Sequence, residues 1–152
     1  MQVWRIASSR FRHFDGEGAR RHGGRWNQPG TSIVYTSASL SLAALELFVQ
    51  VDTDLAPTSL VAIPAEIPDN LPIEDIEITD LPKNWRDFPA LEALKEIGTT
   101  WAAKRLSAIM SVPSALIPNE KNYLLNPKHK DFKSIRIGKP TPFRFDPRMW
   151  KN

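Results

Sequence analysis

A carboxylate isolated among apolar residues is the group in this sequence that most needs a chemical explanation. Residues 40–51 read Leu-Ser-Leu-Ala-Ala-Leu-Glu-Leu-Phe-Val-Gln-Val, and Glu46 is the one ionisable side chain among them. Burying an ionised group without partners is expensive, so Glu46 must reach a cleft or meet a cation, and Arg25 is the nearby candidate. A structural ion pair is the simpler alternative. Arg25 itself follows two glycines, in Gly23-Gly24-Arg25-Trp26-Asn27. Paired glycines let backbone approach a ligand or take positive φ, which would fix the direction of Arg25 and leave amides open. The planar guanidinium suits a phosphate or carboxylate through two parallel bonds, with the Trp26 ring and the Asn27 amide at the same spot. A turn whose Arg pairs with an acidic neighbour would read the same way.

Two further segments carry polar chemistry. Tyr35 closes an apolar stretch ahead of the Glu46 run, where its ring either packs in the core or lines a cleft. Val112-Pro113-Ser114 leads into Asn119, Glu120, Asn122 and Asn126-Pro127-Lys128-His129. Such a segment can offer neutral donors and acceptors to a polar ligand, although a turn with Asx and Ser caps has the same composition.

The elements that must position these groups are short. Strands are expected at 3–6 and 32–36, the second leading into a helix over 40–51 with Ser39 as its N-cap. Further strands are expected at 60–67, 76–79, 108–112, 123–125, 134–137 and 142–145, with Pro64, Pro68 and Pro72 confining some of them to edges or ends. A second helix is expected over 89–107 from the stripe Leu91, Leu94, Ile97, Trp101 and Leu106, weakened in its middle by Gly98-Thr99-Thr100. This pattern predicts an α+β domain with mostly antiparallel strands in two packed sheets and flanking helices. A length of 152 residues fits one domain, and its apolar runs are too short to span a bilayer.

Composition narrows the function classes. The chain has no cysteine, which excludes disulfides and thiolate chemistry. Its first residues lack the basic and apolar pattern of a secretory signal, so a cytoplasmic location is expected. Three scattered histidines, His13, His22 and His129, have no metal-ligand spacing, and no metal is expected. Net charge is only +3, but both ends are basic and residues 46–96 are acidic. If the ends meet, one basic face would attract phosphates, nucleic acid or an acidic partner. A basic RNA-binding or RNA-cleaving protein is therefore the competing class, although a nuclease needs a base and an acid near one phosphate, and these histidines show no such pattern. A noncatalytic binding module is a third class, one with no requirement for Glu46.

In combination, the positioned Arg, the Tyr, the isolated Glu and the Ser-bearing loop resemble the RES domain family. The resemblance runs from Trp4-Arg5-Ile6 to Phe145-Asp146-Pro147-Arg148. It rests on Gly-Gly-Arg-Trp-Asn at 23–27, Gly30, Tyr35-Thr36-Ser37, Ala44-Leu45-Glu46, Val112-Pro113-Ser114 and Asn122-Tyr123-Leu124-Leu125-Asn126-Pro127. The family is named for an Arg, a Glu and a Ser, matched here by Arg25, Glu46 and Ser114. The resemblance implies a single RES domain over 1–152 with a fold similar to ADP-ribosyltransferases, acting as the toxin of a bacterial type II toxin–antitoxin pair. Its implied substrate is NAD+, consumed by hydrolysis or phosphorolysis or used to ADP-ribosylate a protein, with no separate cofactor. Under that reading Arg25, Tyr35, Glu46 and Ser114 are catalytic. Gly24, Arg25, Trp26, Asn27, Tyr35, Ser114 and Asn122 surround the substrate. Glu46 would stabilise the oxocarbenium-like ribose, Arg25 would hold phosphates or ribose, Tyr35 would stack on nicotinamide or ribose, and Ser114 would bond the nicotinamide side. The implied partner is a helix-turn-helix antitoxin that blocks the pocket. DNA would be reached only through that partner, and oligomers would form within the complex.

Overall fold

The structure is a computed structural model that describes residues 1–51 and 59–150. Among these residues eight strands and three α-helices follow one another along the chain. They are β1 (Gln2–Ser8), α1 (Glu17–His22), β2 (Val34–Ser37), α2 (Leu40–Phe48), β3 (Leu60–Glu66), β4 (Ile73–Asp75), α3 (Glu92–Lys104), β5 (Ile109–Pro113), β6 (Lys121–Leu125), β7 (Arg136–Ile137) and β8 (Thr141–Phe143).

The expectation of two packed sheets is corrected by the pairing. All eight strands join one sheet in the order β4-β5-β6-β2-β1-β3-β7, and β8 pairs with the other end of β3. Every pairing is antiparallel except β4 with β5. The sheet is curled. Its inner face gathers Val3, Val34, Ile63, Ala65, Ile109 and Leu125 into one buried cluster, closed by Phe14 and Ile135. A curled sheet buries apolar groups from strands far apart in order, and short strand signals alone cannot distinguish it from two sheets face to face.

Alternation sends neighbouring residues to the opposite face. There Met110, Val112 and Leu124 pack against Leu94 and Trp101 of α3, with Trp26 and Trp85. Ile6, Leu60 and Ala62 pack against Ala43 of α2 and against Phe145. The two helices thus cover different parts of one face.

Helix α2 starts where the sequence places it, because the Ser39 hydroxyl accepts from the Leu42 amide at 3.1 Å. It ends at Phe48, three residues before the expected end. Helix α3 is trimmed at both ends relative to 89–107. The strand expected at 76–79 is displaced to β4, and Ile78–Asp80 form a 3-10 turn. The strand expected at 134–137 shrinks to β7 after a 3-10 turn over Lys130–Ser134. Helix α1 has no counterpart in the sequence reading. It buries no residue and carries no apolar stripe, so periodicity could not find it. No helix among the described residues is long and apolar enough to cross a membrane.

Candidate active site

Strand register brings the polar groups together. Ser37 on β2 lies opposite Asn122 on β6, and Asn122 lies opposite Val112 on β5. Ser114 stands two residues beyond Val112, so Tyr35, Ser37, Asn122 and Ser114 follow the alternation that turns Leu124, Met110 and Val112 toward the helical covers. Glu46 arrives from α2. Leu42 and Ala43 are the buried residues of that helix, and Glu46 lies one turn beyond them on the same side, while Leu45 and Val49 are exposed.

The Glu46 carboxylate is held by neutral donors. Its Oε1 accepts from the Ser114 hydroxyl at 2.7 Å and from Asn122 Nδ2 at 2.7 Å. Among the described residues, Oε2 accepts no hydrogen bond. Ser114 is fully buried, and its Oγ also accepts from the Leu116 and Ile117 amides, each at 3.1 Å. Asn122 Oδ1 accepts from the Ser37 hydroxyl at 2.7 Å. Ser37 also belongs to this constellation, although nothing about its residue type or spacing marks it in the sequence.

Arg25 does not pair with Glu46, so it is not the cation partner that stands as one of the two alternatives for that carboxylate. Its Nη1 donates to the carbonyls of Trp85 and Asp87, both at 3.0 Å, and it forms no ion pair among the described residues. Burial pushes the guanidinium below its ordinary pKa, and the charge of Glu46 acts in the opposite direction. The two charges therefore sense each other without contact. Residues 82–89, with buried Trp85, form the wall that holds Arg25, and Arg86 Nε donates to the Ala115 carbonyl at 2.8 Å, tying that wall to the Ser114 loop. Carbonyl partners have no residue-type signal, so this wall is invisible in the sequence.

The loop that carries Arg25 is a tight turn. Gly23 ends α1 with φ of 72°, and the Gly24 amide donates to the Asn27 carbonyl at 3.1 Å. That amide is not open to a ligand, contrary to expectation. A Cβ on Gly24 would sit 2.6 Å from the Tyr35 hydroxyl oxygen, so this glycine permits the ring to close on the turn. The Tyr35 hydroxyl donates to Asn27 Oδ1 at 2.6 Å and accepts from the Trp26 amide at 3.2 Å. Burial pushes its pKa well above the usual tyrosine range.

Trp26 and Asn27, expected beside a ligand, are spent on the scaffold. Trp26 is 2% exposed and packs in the α3 cluster. Asn27 is fully buried, with Nδ2 donating to the Ala19, Gln28 and Thr31 carbonyls. Asn126 likewise donates to Ala102 at the end of α3. His129 Nδ1 accepts from the Asp131 amide, while His13 and His22 are exposed. Among the described residues, no group of three or more His, Asp or Glu is placed to hold a metal ion.

Residues 2–146 match the RES domain. The chain belongs to the RES domain family. It is 38% identical over 152 residues to Toxin Res of Yersinia enterocolitica, covering 98% of this chain and 99% of that protein. It is 35% identical over 153 residues to the Prs ADP-ribosylating toxin of Sphingobium sp., covering 96% and 94%. It is also similar to a chain in the crystal structure of the M. tuberculosis MbcT-MbcA toxin-antitoxin complex, with a TM-score of 0.72 at 16% identity over 93% of this chain and 83% of that one. At that identity the likeness is one of fold. Of the three residues that name the family, Glu46 and Ser114 are in direct contact, and Arg25 sits on the turn that closes against Tyr35, two residues before Ser37 on β2.

Proposed function

We propose that this RES domain protein is the toxin of a bacterial toxin–antitoxin pair and that it cleaves the nicotinamide–ribose bond of NAD+. The supporting observation is Glu46. Its Oε1 is fixed by Ser114 and Asn122, and its Oε2, which accepts no hydrogen bond among the described residues, is the oxygen assigned to a ligand. Toxin Res as the name of similar proteins, and a toxin–antitoxin complex as a fold neighbour, support the biological role. The fold is read as ADP-ribosyltransferase-like from the sequence resemblance, a reading supported by the name of the Sphingobium relative, an ADP-ribosylating toxin.

In this reading the bond from nicotinamide N1 to ribose C1′ breaks, and its electron pair returns to the pyridinium ring, which leaves as neutral nicotinamide. The ribose becomes oxocarbenium-like, and a carboxylate fixed before the reaction stabilises that charge without reorganising. Glu46 Oε2 is the oxygen offered to the ribose. The acceptor adds at C1′ and gives up a proton, yielding ADP-ribose from water or its phosphate ester from inorganic phosphate. No strong general acid is needed, because the leaving group is already cationic. Arg25 Nε and Nη2, which donate to no group among the described residues, are assigned to the diphosphate. Tyr35 and Ser114 act by positioning: Tyr35 braces the Arg25 turn, and Ser114 holds Glu46. A helix-turn-helix antitoxin that covers the pocket is the proposed partner, and the cytoplasm the proposed location.

The test is NAD+ in cells producing this chain without an antitoxin, beside Glu46→Gln. Gln is isosteric and keeps an oxygen for both donors, so the fold should persist while turnover falls by about 10³-fold. Rapid NAD+ loss that requires Glu46 supports the proposal, and the product formed with and without phosphate identifies the acceptor. Steady NAD+ with growth still arrested refutes NAD+ depletion. A second reading is favoured by the name of the Sphingobium relative, an ADP-ribosylating toxin. In it a protein side chain takes the place of water, and label from adenine-labelled NAD+ would appear on protein.

A further inference from the structure

Ser37 lies outside the Arg, Glu and Ser that name the family, yet its hydroxyl ends a chain of hydrogen bonds at the candidate carboxylate. It is 4% exposed, and its Oγ donates to Asn122 Oδ1 at 2.7 Å. Asn122 Nδ2 in turn donates to Glu46 Oε1 at 2.7 Å. The two residues are direct cross-strand partners of β2 and β6, so the backbone ladder sets their separation.

An asparagine amide has a donor end and an acceptor end of nearly equal size, and only its neighbours decide which faces where. Here one neighbour is a carboxylate, which accepts. The other is a hydroxyl, which can donate or accept. The carboxylate therefore selects the donor end of Asn122, and Ser37, by donating to Oδ1, anchors the other end so that the amide is held at both. A flipped amide would set Oδ1 against Oε1, acceptor against acceptor, at a distance suited to a hydrogen bond.

We propose that Ser37 is a positioning residue: through Asn122 it fixes the orientation of the Glu46 carboxylate, so that Oε1 is satisfied from the protein and Oε2 is presented to substrate. This rests on the NAD+ reading for its kinetic consequence, but not for its structural one. The chain Ser37–Asn122–Glu46–Ser114 then spans β2, β6, α2 and the loop after β5, closing a frame around one carboxylate group. Removing the Ser37 hydroxyl leaves a small void and a half-buried amide oxygen without its donor, so that the amide is held at one end only and gains freedom to rock.

The test compares the purified wild-type chain with Ser37→Ala and Ser37→Thr in two independent measurements. The first is the side-chain amide of Asn122 by ¹⁵N–¹H NMR, which needs no substrate. A positioning role predicts slowly exchanging Asn122 amide protons in the wild type, fast exchange or broadening in S37A, and recovery in S37T. Unchanged Asn122 resonances in S37A, with the backbone spectrum intact, overturn the proposal whatever the substrate. The second is NAD+ turnover. S37A should lose about tenfold in kcat with KM changed less than about threefold, and S37T should recover most of the loss. A loss confined to KM, or an S37T variant as impaired as S37A, overturns the kinetic role. A wild-type chain that consumes no NAD+ sinks the NAD+ reading and leaves the NMR result to decide Ser37.

Discussion

Replacing Gly98 with Ala should damage the protein, although the same change in an ordinary helix interior stabilises it by about 0.5–1 kcal/mol. Gly98 sits in the middle of α3. A Cβ built there would lie 1.9 Å from the Trp26 carbonyl oxygen and 3.2 Å from the Trp26 Cβ. Ordinary contact requires that first gap to open by about 1.5 Å. Neither side can give easily. Helix α3 is pinned through buried Leu94 and Trp101, and the Arg25 turn is pinned to it where the Gln28 amide donates to Thr99 Oγ1 at 2.9 Å. Overpacking of this kind costs about 1–3 kcal/mol and a clash this deep belongs at the upper end, so after the helix-propensity gain the net loss is about 2–2.5 kcal/mol. For a chain of this size that lowers Tm by about 4–10 °C. Trp26 adjoins Arg25, so a shift of about 1 Å at the turn should also reduce NAD+ turnover by about 10²-fold. The control is Gly18→Ala in exposed α1, where nothing lies within 4 Å of the added Cβ. That variant should keep or raise Tm and keep turnover. If G98A melts higher than wild type with full activity, the reasoning that α3 is the seat of the Arg25 turn is wrong.

Three further outcomes can be checked directly. Tyr35→Phe keeps the ring but removes the hydroxyl that bridges Asn27 and Trp26. If the hydroxyl is the bracing element, this variant should lose about 1–3 kcal/mol by denaturant titration and most of its turnover; retention of both would instead support a stacking role. Arg25→Lys preserves the charge but not the planar group whose Nη1 is held by two carbonyls while Nε and Nη2 face the diphosphate, so KM for NAD+ should rise about tenfold or more, measured by initial rates. Glu17 titrates at about 2 rather than 4.5, chiefly through its hydrogen bond from Arg20 and also through Arg21, with desolvation opposing. A depressed pKa stabilises the fold above pH 4.5, and that contribution is lost as pH falls from about 4.5 to about 2. Melting curves of wild type and Glu17→Gln should therefore differ most above pH 4.5 and converge near pH 2.

The groups legible in the sequence are those whose residue type is improbable in its setting. Glu46 stood out because a single carboxylate interrupts an apolar helix, and Arg25 because two glycines precede it. Ser39 announced the start of α2 because capping is local chemistry. What the sequence could not convey depends on pairing between distant segments. The placement of β2 between β6 and β1 puts Ser37 beside Asn122, and no turn signal specifies that order. Gly98-Thr99-Thr100 looked like a weak point of α3 and is where the Arg25 turn docks, since Gly98 admits the Trp26 carbonyl and Thr99 accepts from Gln28. Local propensity registers the cost of such residues and is blind to the neighbour they accommodate.

An Arg25–Glu46 ion pair is one of the two alternatives the sequence leaves open, and its absence bears on how such a site works. Two opposite charges in contact would each satisfy the other, and a substrate would have to break that pair before using either. Here each charge is restrained by neutral dipoles: Glu46 by a hydroxyl and an amide, Arg25 by two backbone carbonyls. Orientation is fixed while charge is left unspent. On the NAD+ reading both charges are needed at once, the cation by the diphosphate and the anion by the ribose as positive charge develops on it. A design that met the desolvation cost of Glu46 with Arg25 would have a quieter apo state and a poorer transition state. Moving a cation into direct contact with Oε2, by a nearby Lys substitution, should therefore raise thermal stability while depressing turnover. An increase in both would show that the separation of Arg25 from Glu46 serves no catalytic purpose.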